Sequence, residues 1–387
     1  MERALVLDKR AGTLAIQACR ALARRGYRVD IFGMDGSIAF NSKYCSRSLA
    51  LPFWEPQRVA DCLKQIFAAT RYDAIYLCNE EILAIIPLLE SVPAALPIPE
   101  APAIRTLLSK HETLDRVRQH GVPAPFTVVP KDEKEAQEAA REMKLPFLIK
   151  GERGDNGKNL RMVRNLRSLA PLYREIARIE EPYGGRPALQ QIVKGQAYSV
   201  GGLFHQGRPL RLCAHRKLLT YPRDGGVTVK GVTERPDQLL EETGKAFAAF
   251  QYTGLGHAEF IRDQNDGDFK FIEINPRVWG SIGIAEHAGV DLYGAYHELV
   301  AGRPVAQNLD YREGIVYHRF SAEMQLIAES PARLPGFLKD AINPRVTSDF
   351  CWSDLGPYVA AIRSRYSHRK PGASSLQVIE LDRAARQ

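Results

Sequence analysis

The stretch FIEINPRVWGS, residues 271–281, places a carboxylate, an amide and a guanidinium at the end of an apolar run. Glu273 and Asn275 stand two positions apart in a segment that otherwise has the composition of a buried strand. Pro276 ends that strand, and Arg277 follows at once. Because side chains alternate between the faces of a strand, the two polar residues share one face and the isoleucines beside them share the other.

A second strand, HAEFIR, comes just before this one and is joined to it by DQNDGD, residues 263–268. The Asn-Asp-Gly in this connection favours a tight turn. A turn centred on Asp266 pairs Glu259 with Glu273, and the two carboxylates then lie opposite each other on the polar face. We expect the apolar face of this hairpin to pack in the core and to consist of Ala258, Phe260, Ile272 and Ile274.

Two opposed carboxylates need a counter-charge. At a separation of about 5 Å and an effective dielectric near 20, they repel each other by about 3 kcal/mol. Three hard oxygen donors suit Mg²⁺, which takes one or two protein carboxylates together with waters and phosphates. The alternatives are a structural network in which Arg277 or His257 balances the glutamates, and a raised pKa on one glutamate.

The pattern of Glu259 followed by E-x-N-P-R at residues 273–277 resembles the ATP-grasp superfamily, and the extension to Trp279-Gly280-Ser281 resembles its carboxylate–amine ligase branch. The resemblance spans about residues 1 to 305. It implies an α/β (α+β) chain with an ATP-grasp fold preceded by a Rossmann-like pre-ATP-grasp domain. It also implies that ATP and Mg²⁺ are bound, with Mn²⁺ as an alternative metal.

The resemblance assigns roles to the hairpin. Glu273 would bridge two metal ions, and Glu259 and Asn275 would complete the ligand set. Arg277 would hold the γ-phosphate or an acyl phosphate, because its planar fork donates to two oxygens at once. Trp279 is interpreted as a core residue in preference to a substrate-stacking one.

The same resemblance places two phosphate-binding lysines, Lys110 in LLSKHETL and Lys150 at the end of the strand PFLIK. The loop GERGDNGKN that follows is similar to the small flexible loop of the superfamily, and Gly157 in it would bring backbone N–H groups close to phosphate. This loop is not a P-loop, because Glu152 stands where the first glycine is required and Asn159 where Ser or Thr is required.

Gln190, Gln191 and Val193 resemble the linker that holds adenine through main-chain groups. Family members usually have Glu at the second position, and an amide at Gln191 can still face the adenine amino group through its oxygen. The ribose-binding acid of many members is not evident, since Ala197 and Tyr198 stand there. The stretch 215–227 resembles the large loop over the triphosphate, in which Lys217 or Arg216 would contribute a cation.

Strands alternating with helices at the start of the chain predict a parallel sheet with helical crossovers. We predict four regions: a pre-ATP-grasp α/β domain at 1–105, a small lid subdomain at 106–195, a subdomain carrying the metal site at 196–305, and a C-terminal extension of unknown role at 306–387. A single helix is predicted at 107–121, closed by Gly121.

Composition narrows the class of protein. The chain has 387 residues, 45% hydrophobic and 25% charged, which is ordinary for a globular protein. The net charge of +8 is spread along the chain, which favours no nucleic-acid partner and leaves a site for phosphates or other anions open. The six cysteines form no CxxC pair, and no apolar run reaches membrane-spanning length. We expect a cytoplasmic protein without a membrane partner.

These observations lead to one hypothesis and several alternatives. The hypothesis is a ligase that joins a small-molecule carboxylate to an amine through an acyl phosphate, releasing ADP and phosphate. The alternatives are an ATP-grasp phosphotransferase, a non-catalytic nucleotide-binding protein and, on charge alone, a nucleic-acid binder. The identity of the acid and the amine and the oligomeric state stay open, a homodimer being a common outcome.

Overall fold

The structure is a computed structural model that describes residues 2–10, 12–152, 159–221, 226–343, 345–366 and 379–382. Short 3₁₀ turns lie between the main elements. No helix in these ranges combines the length and the apolar character needed to cross a bilayer.

The first unit is a parallel sheet with helices on both faces. These four strands are all parallel, as the alternating pattern predicted, and the structure shows their order to be β3-β2-β1-β4. One face packs against α1 and the other against α2, because the strands are buried on both sides. The elements are β1 Arg3–Leu7, α1 Thr13–Arg24, β2 Arg28–Met34, β3 Cys45–Leu51, α2 Pro56–Ala69, β4 Ala74–Leu77 and α3 Glu80–Leu83.

The second unit is a four-stranded antiparallel sheet, ordered β5-β8-β6-β7, with α6 and α7 packed on it. Its elements are α4 Ala101–Leu108, α5 Lys110–Gln119, β5 Thr127–Val128, α6 Glu133–Ala139, β6 Phe147–Lys150, β7 Leu160–Val163, α7 Leu169–Glu180 and β8 Ala188–Gln191. The prediction of one helix at 107–121 is wrong. Ser109 separates two helices because its hydroxyl caps α5, accepting from the Glu112 N–H at 3.2 Å.

The third unit is built on a larger sheet in the order β13-β12-β9-β10-β11-β14-β15. Its elements up to residue 300 are β9 Gly195–His205, β10 Arg208–Tyr221, β11 Val227–Thr233, α8 Asp237–Ala248, β12 Gly254–Asp263, β13 Phe269–Asn275, α9 Gly283–His287 and α10 Leu292–Val300. One face of this sheet packs against α5 and α8, which leaves the opposite face for the site.

The C-terminal region adds strands to two of the sheets. Its elements are β14 Val316–His318, α11 Phe320–Glu329, α12 Leu334–Ala341, β15 Val346–Ser348, α13 Gly356–Tyr366 and β16 Ile379–Asp382. β14 pairs with β11 of the third unit, and β16 pairs with β3 of the first unit. The predicted domain boundary at residue 305 therefore divides strands that share one sheet, and the boundaries stay predictions.

Candidate active site

The hairpin of β12 and β13 has the predicted register. Glu259 lies opposite Glu273, and His257 lies opposite Asn275. A bulge follows Glu259, so that the next pair is Phe260 with Phe271. The expectation that Ile272 enters the core is therefore wrong. The extra residue shifts the alternation, and Phe271 is the fully buried side chain.

The counter-charge of Glu259 is Lys217. Its ammonium Nζ lies 2.7 Å from Glu259 Oε2, and the lysine side chain is only 4% exposed. The expectation that Lys217 belongs to a loop is wrong, because it lies inside β10, whose neighbour β9 separates it from β12. Neither Arg277 nor His257 fills this role.

Asn275 connects the acidic pair to Arg277. Its amide nitrogen Nδ2 donates to Glu273 Oε1 at 3.2 Å, and its oxygen Oδ1 accepts from Arg277 Nη2 at 2.9 Å. Arg277 also donates through Nη1 to the carbonyl oxygen of Val278 at 3.1 Å. The amide thus fixes the guanidinium relative to Glu273.

The donor set fits a magnesium ion that shares its coordination sphere with phosphate and water. Within the ranges that the structure describes, no three His, Cys, Asp or Glu side chains are grouped to hold a metal ion. A metal here would take Glu259, Glu273 and the amide oxygen of Asn275, and that amide would have to turn by half a rotation. So few protein ligands are typical of Mg²⁺ and leave room for a nucleotide.

Two neutral imidazoles lie beside the carboxylates. His257 stacks on Trp279 at 5.6 Å between ring centroids, and burial, then Lys217 and Arg277, hold the pKa of His257 well below its usual range. Burial, then His257 and Lys217, lower the pKa of His215 well below normal in the same way. Neither imidazole can balance an acid at neutral pH. That part of the structural-network alternative is wrong.

The second unit brings a lysine to the hairpin. Burial lowers the pKa of Lys150 below its usual range, and the charge of Lys110 acts in the same direction. The charges of Glu273 and Glu259 oppose this shift. These opposing influences place both predicted phosphate lysines and both carboxylates in one electrostatic environment. Lys150 ends β6, and Lys110 begins α5.

The predicted adenine linker joins β8 of the second unit to β9 of the third unit. The Gln190 side chain is buried and donates from Nε2 to Thr127 Oγ1 at 3.0 Å. From the sequence we expect the Gln191 amide oxygen to be able to face the adenine amino group, but in the structure this oxygen bonds within the protein. It accepts from the Lys144 N–H at 2.9 Å, because that backbone group needs an acceptor. Any contact of residues 190–193 with a base would be made by main-chain groups.

Val193 is half-buried in this connection. Gly157 lies outside the residues that the structure describes, as do residues 222–225 of the predicted large loop at 215–227. Gly195 follows Val193 closely, and a Cβ there would lie 1.8 Å from the Arg262 carbonyl oxygen. Glycine is therefore required where the second unit meets the large sheet.

A second polar cluster surrounds the turn at residues 279–281. Gln17 of α1 donates from Nε2 to the Gly280 carbonyl oxygen at 3.1 Å, and a Cβ on Gly280 would lie 2.7 Å from Nη1 of Arg319. Ser281 Oγ lies 3.3 Å from His215 Nε2. The first unit, the large sheet and the C-terminal region all meet at this turn.

Several buried polar atoms around this turn have no hydrogen-bond partner in the part of the chain that the structure describes. Unpaired buried groups are rare in native folds and call for an explanation such as a bound polar molecule. The atoms concerned are Ser199 Oγ, His215 Nδ1, His257 Nε2, Trp279 Nε1, Tyr317 Oη and Arg319 Nε.

Sequence reasoning missed some of these residues. His215 is two positions before Lys217, and a period-two pattern in β10 would have placed both on one face. Ser199 lies between them and the hairpin, since β9 pairs Ser199 with both Glu259 and His215. No local signal identifies Arg319, which reaches the site from the C-terminal region.

The geometry groups two carboxylates, an amide, an arginine and lysines at one edge of the large sheet, a combination that suits a phosphate-bearing ligand and a divalent ion. Comparison with known proteins agrees. The sequence profile of the ATP-grasp domain matches residues 108–281. This part of the chain is therefore similar to an ATP-grasp domain.

Several known proteins are similar to this chain in sequence or in fold. Biotin carboxylase 1 of Bacillus subtilis is 24% identical over 267 residues, and the match covers 64% of this chain and 57% of that protein. The chain thus spans a little over half of that relative. The biotin carboxylase of Campylobacter jejuni, solved as a complex with a β,γ-ATP ligand, superimposes with a TM-score of 0.66 at 18% identity, covering 81% of this chain and 74% of that one. An L-amino acid ligase of Bacillus licheniformis superimposes with a TM-score of 0.59 at 16% identity, covering 78% and 74%.

Proposed function

We propose that the chain is an ATP-dependent carboxylate–amine ligase. The γ-phosphoryl group of ATP moves to a carboxylate oxygen and gives an acyl phosphate and ADP. The nitrogen of an amine then attacks the acyl carbon, and phosphate leaves as the amide C–N bond forms. Acid and amine are both small molecules in this proposal, and the protein acts in the cytoplasm.

One observation supports this proposal most directly. Two carboxylates face each other across a hairpin, and the charges of both carboxylates and of Lys110 act on the pKa of Lys150 at the edge of the second unit. Glu259, Glu273 and the turned amide of Asn275 would hold Mg²⁺, which when bound neutralises and orients the triphosphate. Lys150 and Lys110 would bind phosphate oxygens.

Arg277 would stabilise the phosphoryl group as it moves. Its Nη1 donates to the Val278 carbonyl oxygen whichever way the Asn275 amide is turned, so little reorganisation is needed when negative charge develops on the phosphoryl oxygens. No covalent intermediate on the protein is required. Positioning and charge stabilisation supply the catalysis.

Replacement of Glu273 tests the metal site. We expect Glu273→Gln to lower Mg-ATP-dependent ADP release by at least about 100-fold, the size of effect seen when one electrostatic stabiliser is removed. The circular dichroism spectrum should be unchanged. The measurement is ADP release over a panel of carboxylates, each tested with and without an amine. Glu241→Gln, on the exposed side of α8, is the matched control and should behave as wild type.

The panel must include bicarbonate beside organic acids, because curated relatives with recognisable sequence similarity include biotin carboxylases. ADP release that persists at the wild-type rate in Glu273→Gln would rule out the proposed site. A nucleotide-binding protein without catalytic activity would instead bind ATP and release no ADP with any member of the panel.

A further inference from the structure

The first unit reaches the site at the end of β4. The Val278 N–H donates to the Leu77 carbonyl oxygen at 2.8 Å, so the segment after β13 is tied to the end of β4. Asn79 then fixes the following turn: its side-chain oxygen accepts from the Ile82 N–H at 3.3 Å and its nitrogen donates to Asp8 Oδ1 at 3.1 Å. α3 therefore begins in a defined position beside Arg277.

The first residue of α3 is Glu80, and its carboxylate meets Arg277. Glu80 Oε1 lies 3.4 Å from Arg277 Nε, and the Glu80 side chain is 33% exposed. Arg277 in turn is bound to Asn275 of the hairpin. A carboxylate from the first unit thus stands beside the same arginine that Asn275 holds, and part of its surface is exposed.

The two hairpin carboxylates have other tasks. Glu259 pairs with Lys217, and Glu273 is bonded to Asn275 and would hold the metal ion. Glu80 approaches the same arginine without belonging to that set. The second half of the reaction needs such a group, because amines are mostly protonated at neutral pH, with pKa values of about 8 to 10, and an ammonium ion has no lone pair with which to attack.

We propose that Glu80 binds the ammonium group of the attacking amine and accepts one of its protons. This inference rests on the proposed ligase function. The N–H bond breaks and its proton passes to a Glu80 carboxylate oxygen. The freed lone pair forms the C–N bond at the acyl carbon, and phosphate leaves with the electrons of the C–O bond. The second proton passes from the nitrogen to the departing phosphate as the tetrahedral intermediate collapses.

The pairing with Arg277 suits this role. Arg277 binds the anionic acyl phosphate in the proposed reaction, and Glu80 beside it presents a negative charge to the amine. The two substrates are then recognised by opposite charges within hydrogen-bonding range of each other, which brings nucleophile and electrophile together. A carboxylate at hydrogen-bonding distance from the nitrogen is also placed to act as a general base.

The test separates the two half-reactions. Each of the twenty standard L-amino acids, and acetate, is supplied as the acid with Mg-ATP. The acyl phosphate is trapped as a hydroxamate with hydroxylamine, which is uncharged at neutral pH and needs no base before it attacks. Amide formation with the same amino acids as amines is measured in parallel. The variants are Glu80→Gln and, as matched control, Glu81→Gln, whose carboxylate pairs with Lys9 at 3.4 Å.

We expect Glu80→Gln to form hydroxamate at a rate within about twofold of the wild type. Amide formation should be at least tenfold slower, because the KM for the amine rises. Amide formation by this variant should rise about tenfold per pH unit between pH 7 and 9, as the fraction of free amine rises. The wild type should show a flatter profile. Glu81→Gln should match the wild type in both reactions.

Three outcomes would overturn the inference. Parallel loss of hydroxamate and amide would mean that Glu80 only positions Arg277. No change in either would mean that Glu80 takes no part. Amide loss without the steeper pH profile would exclude proton transfer to Glu80. If instead the wild type forms neither hydroxamate nor ADP with any acid, the ligase function itself is wrong.

Discussion

Among single residues, Lys217 provides the positive charge that stabilises the pair of Glu259 and Glu273 in the folded protein. A buried ammonium at 2.7 Å from Glu259 compensates a repulsion that the hairpin alone could not tolerate. In the proposed reaction, a divalent ion held by Glu259 would supply positive charge in the same place. The lysine is therefore both a structural counter-ion and a neighbour of the proposed phosphate site.

Replacement of Lys217 should expose this double role. We expect Lys217→Met to lower the free energy of unfolding of the ligand-free protein by about 3 kcal/mol, the scale found when one partner of a buried ion pair is removed. Because the metal restores the missing charge, Mg-ATP should raise the Tm of the variant more than that of the wild type. Thermal denaturation with and without Mg-ATP measures both effects.

The control for this prediction is Lys64→Met. The Lys64 side chain is 34% exposed and pairs with Glu90, which is 88% exposed, so its loss should cost less than about 1 kcal/mol. An equal Mg-ATP effect in Lys217→Met and wild type would contradict the assignment of Glu259 to the metal site.

Among elements, β9 determines how closely the turn after β13 can approach the large sheet. Gly201 lies in the middle of β9, opposite His257, and the indole of Trp279 rests directly on it. A side chain at this position would fill the space of the ring. The glycine is needed for close approach, and it allows Trp279 to stack on His257 next to Asn275.

Adding one methyl group should disturb this arrangement. In Gly201→Ala the new Cβ would lie 1.9 Å from Trp279 Cζ2, so the ring must move. We expect a loss of about 1–3 kcal/mol in the free energy of unfolding, a change in tryptophan fluorescence and slower ADP release. Chemical denaturation followed by fluorescence gives the first two quantities.

Gly244→Ala in α8 is the matched control. The nearest atom to its new Cβ is Pro209 Cγ at 4.0 Å, so there is room for the methyl group. Alanine should leave stability unchanged or raise it by up to about 1 kcal/mol, because glycine is unfavourable inside a helix. If Gly201→Ala were as stable as the control, the proposed contact with Trp279 would be of no consequence.

At the level of the whole molecule, the C-terminal region locks the first unit to the large sheet. Arg20 of α1 donates to Asp354 Oδ2 at 2.8 Å and to the Asp349 carbonyl oxygen at 2.9 Å, with both charged side chains almost fully buried. Asp354 also accepts from Ser42 Oγ at 2.7 Å. The same region carries Arg319 to the turn at residues 279–281, so its docking and the position of that turn are linked.

Removing the arginine should loosen this connection. We expect Arg20→Met to lower the free energy of unfolding by about 3–5 kcal/mol, since the Asp354 carboxylate is left buried without its counter-ion. Limited proteolysis should cut first within residues 349–366. Arg25→Met is the control: that arginine is 27% exposed, and its pairs with Glu286 and Asp291 should contribute about 1 kcal/mol or less. Equal stability of the two variants would contradict the prediction.

The elements themselves could be predicted where the signal was local. The parallel direction of the strands in the first sheet follows from the alternation of strands and helices. The register of Glu259 with Glu273 follows from the turn residues at 263–268. The break of the helix at Ser109 and the bulge after Glu259 were missed. A helix cap such as Ser109, or one extra residue in a strand, changes the path of the backbone and leaves the pattern of apolar residues along the chain unchanged.

By itself, the sequence determined the resemblance to ATP-grasp proteins and the acidic hairpin with Arg277 after it, because a tight turn fixes which neighbours along the chain face each other. Only the tertiary structure decided that Lys217 balances Glu259, that Lys150 and Lys110 share the electrostatic environment of the pair, and that Glu80 stands beside Arg277. These contacts join residues far apart in the chain. They depend on which strands become neighbours after long connections, and that choice is made by the packing of whole units and leaves no pattern in the residues themselves.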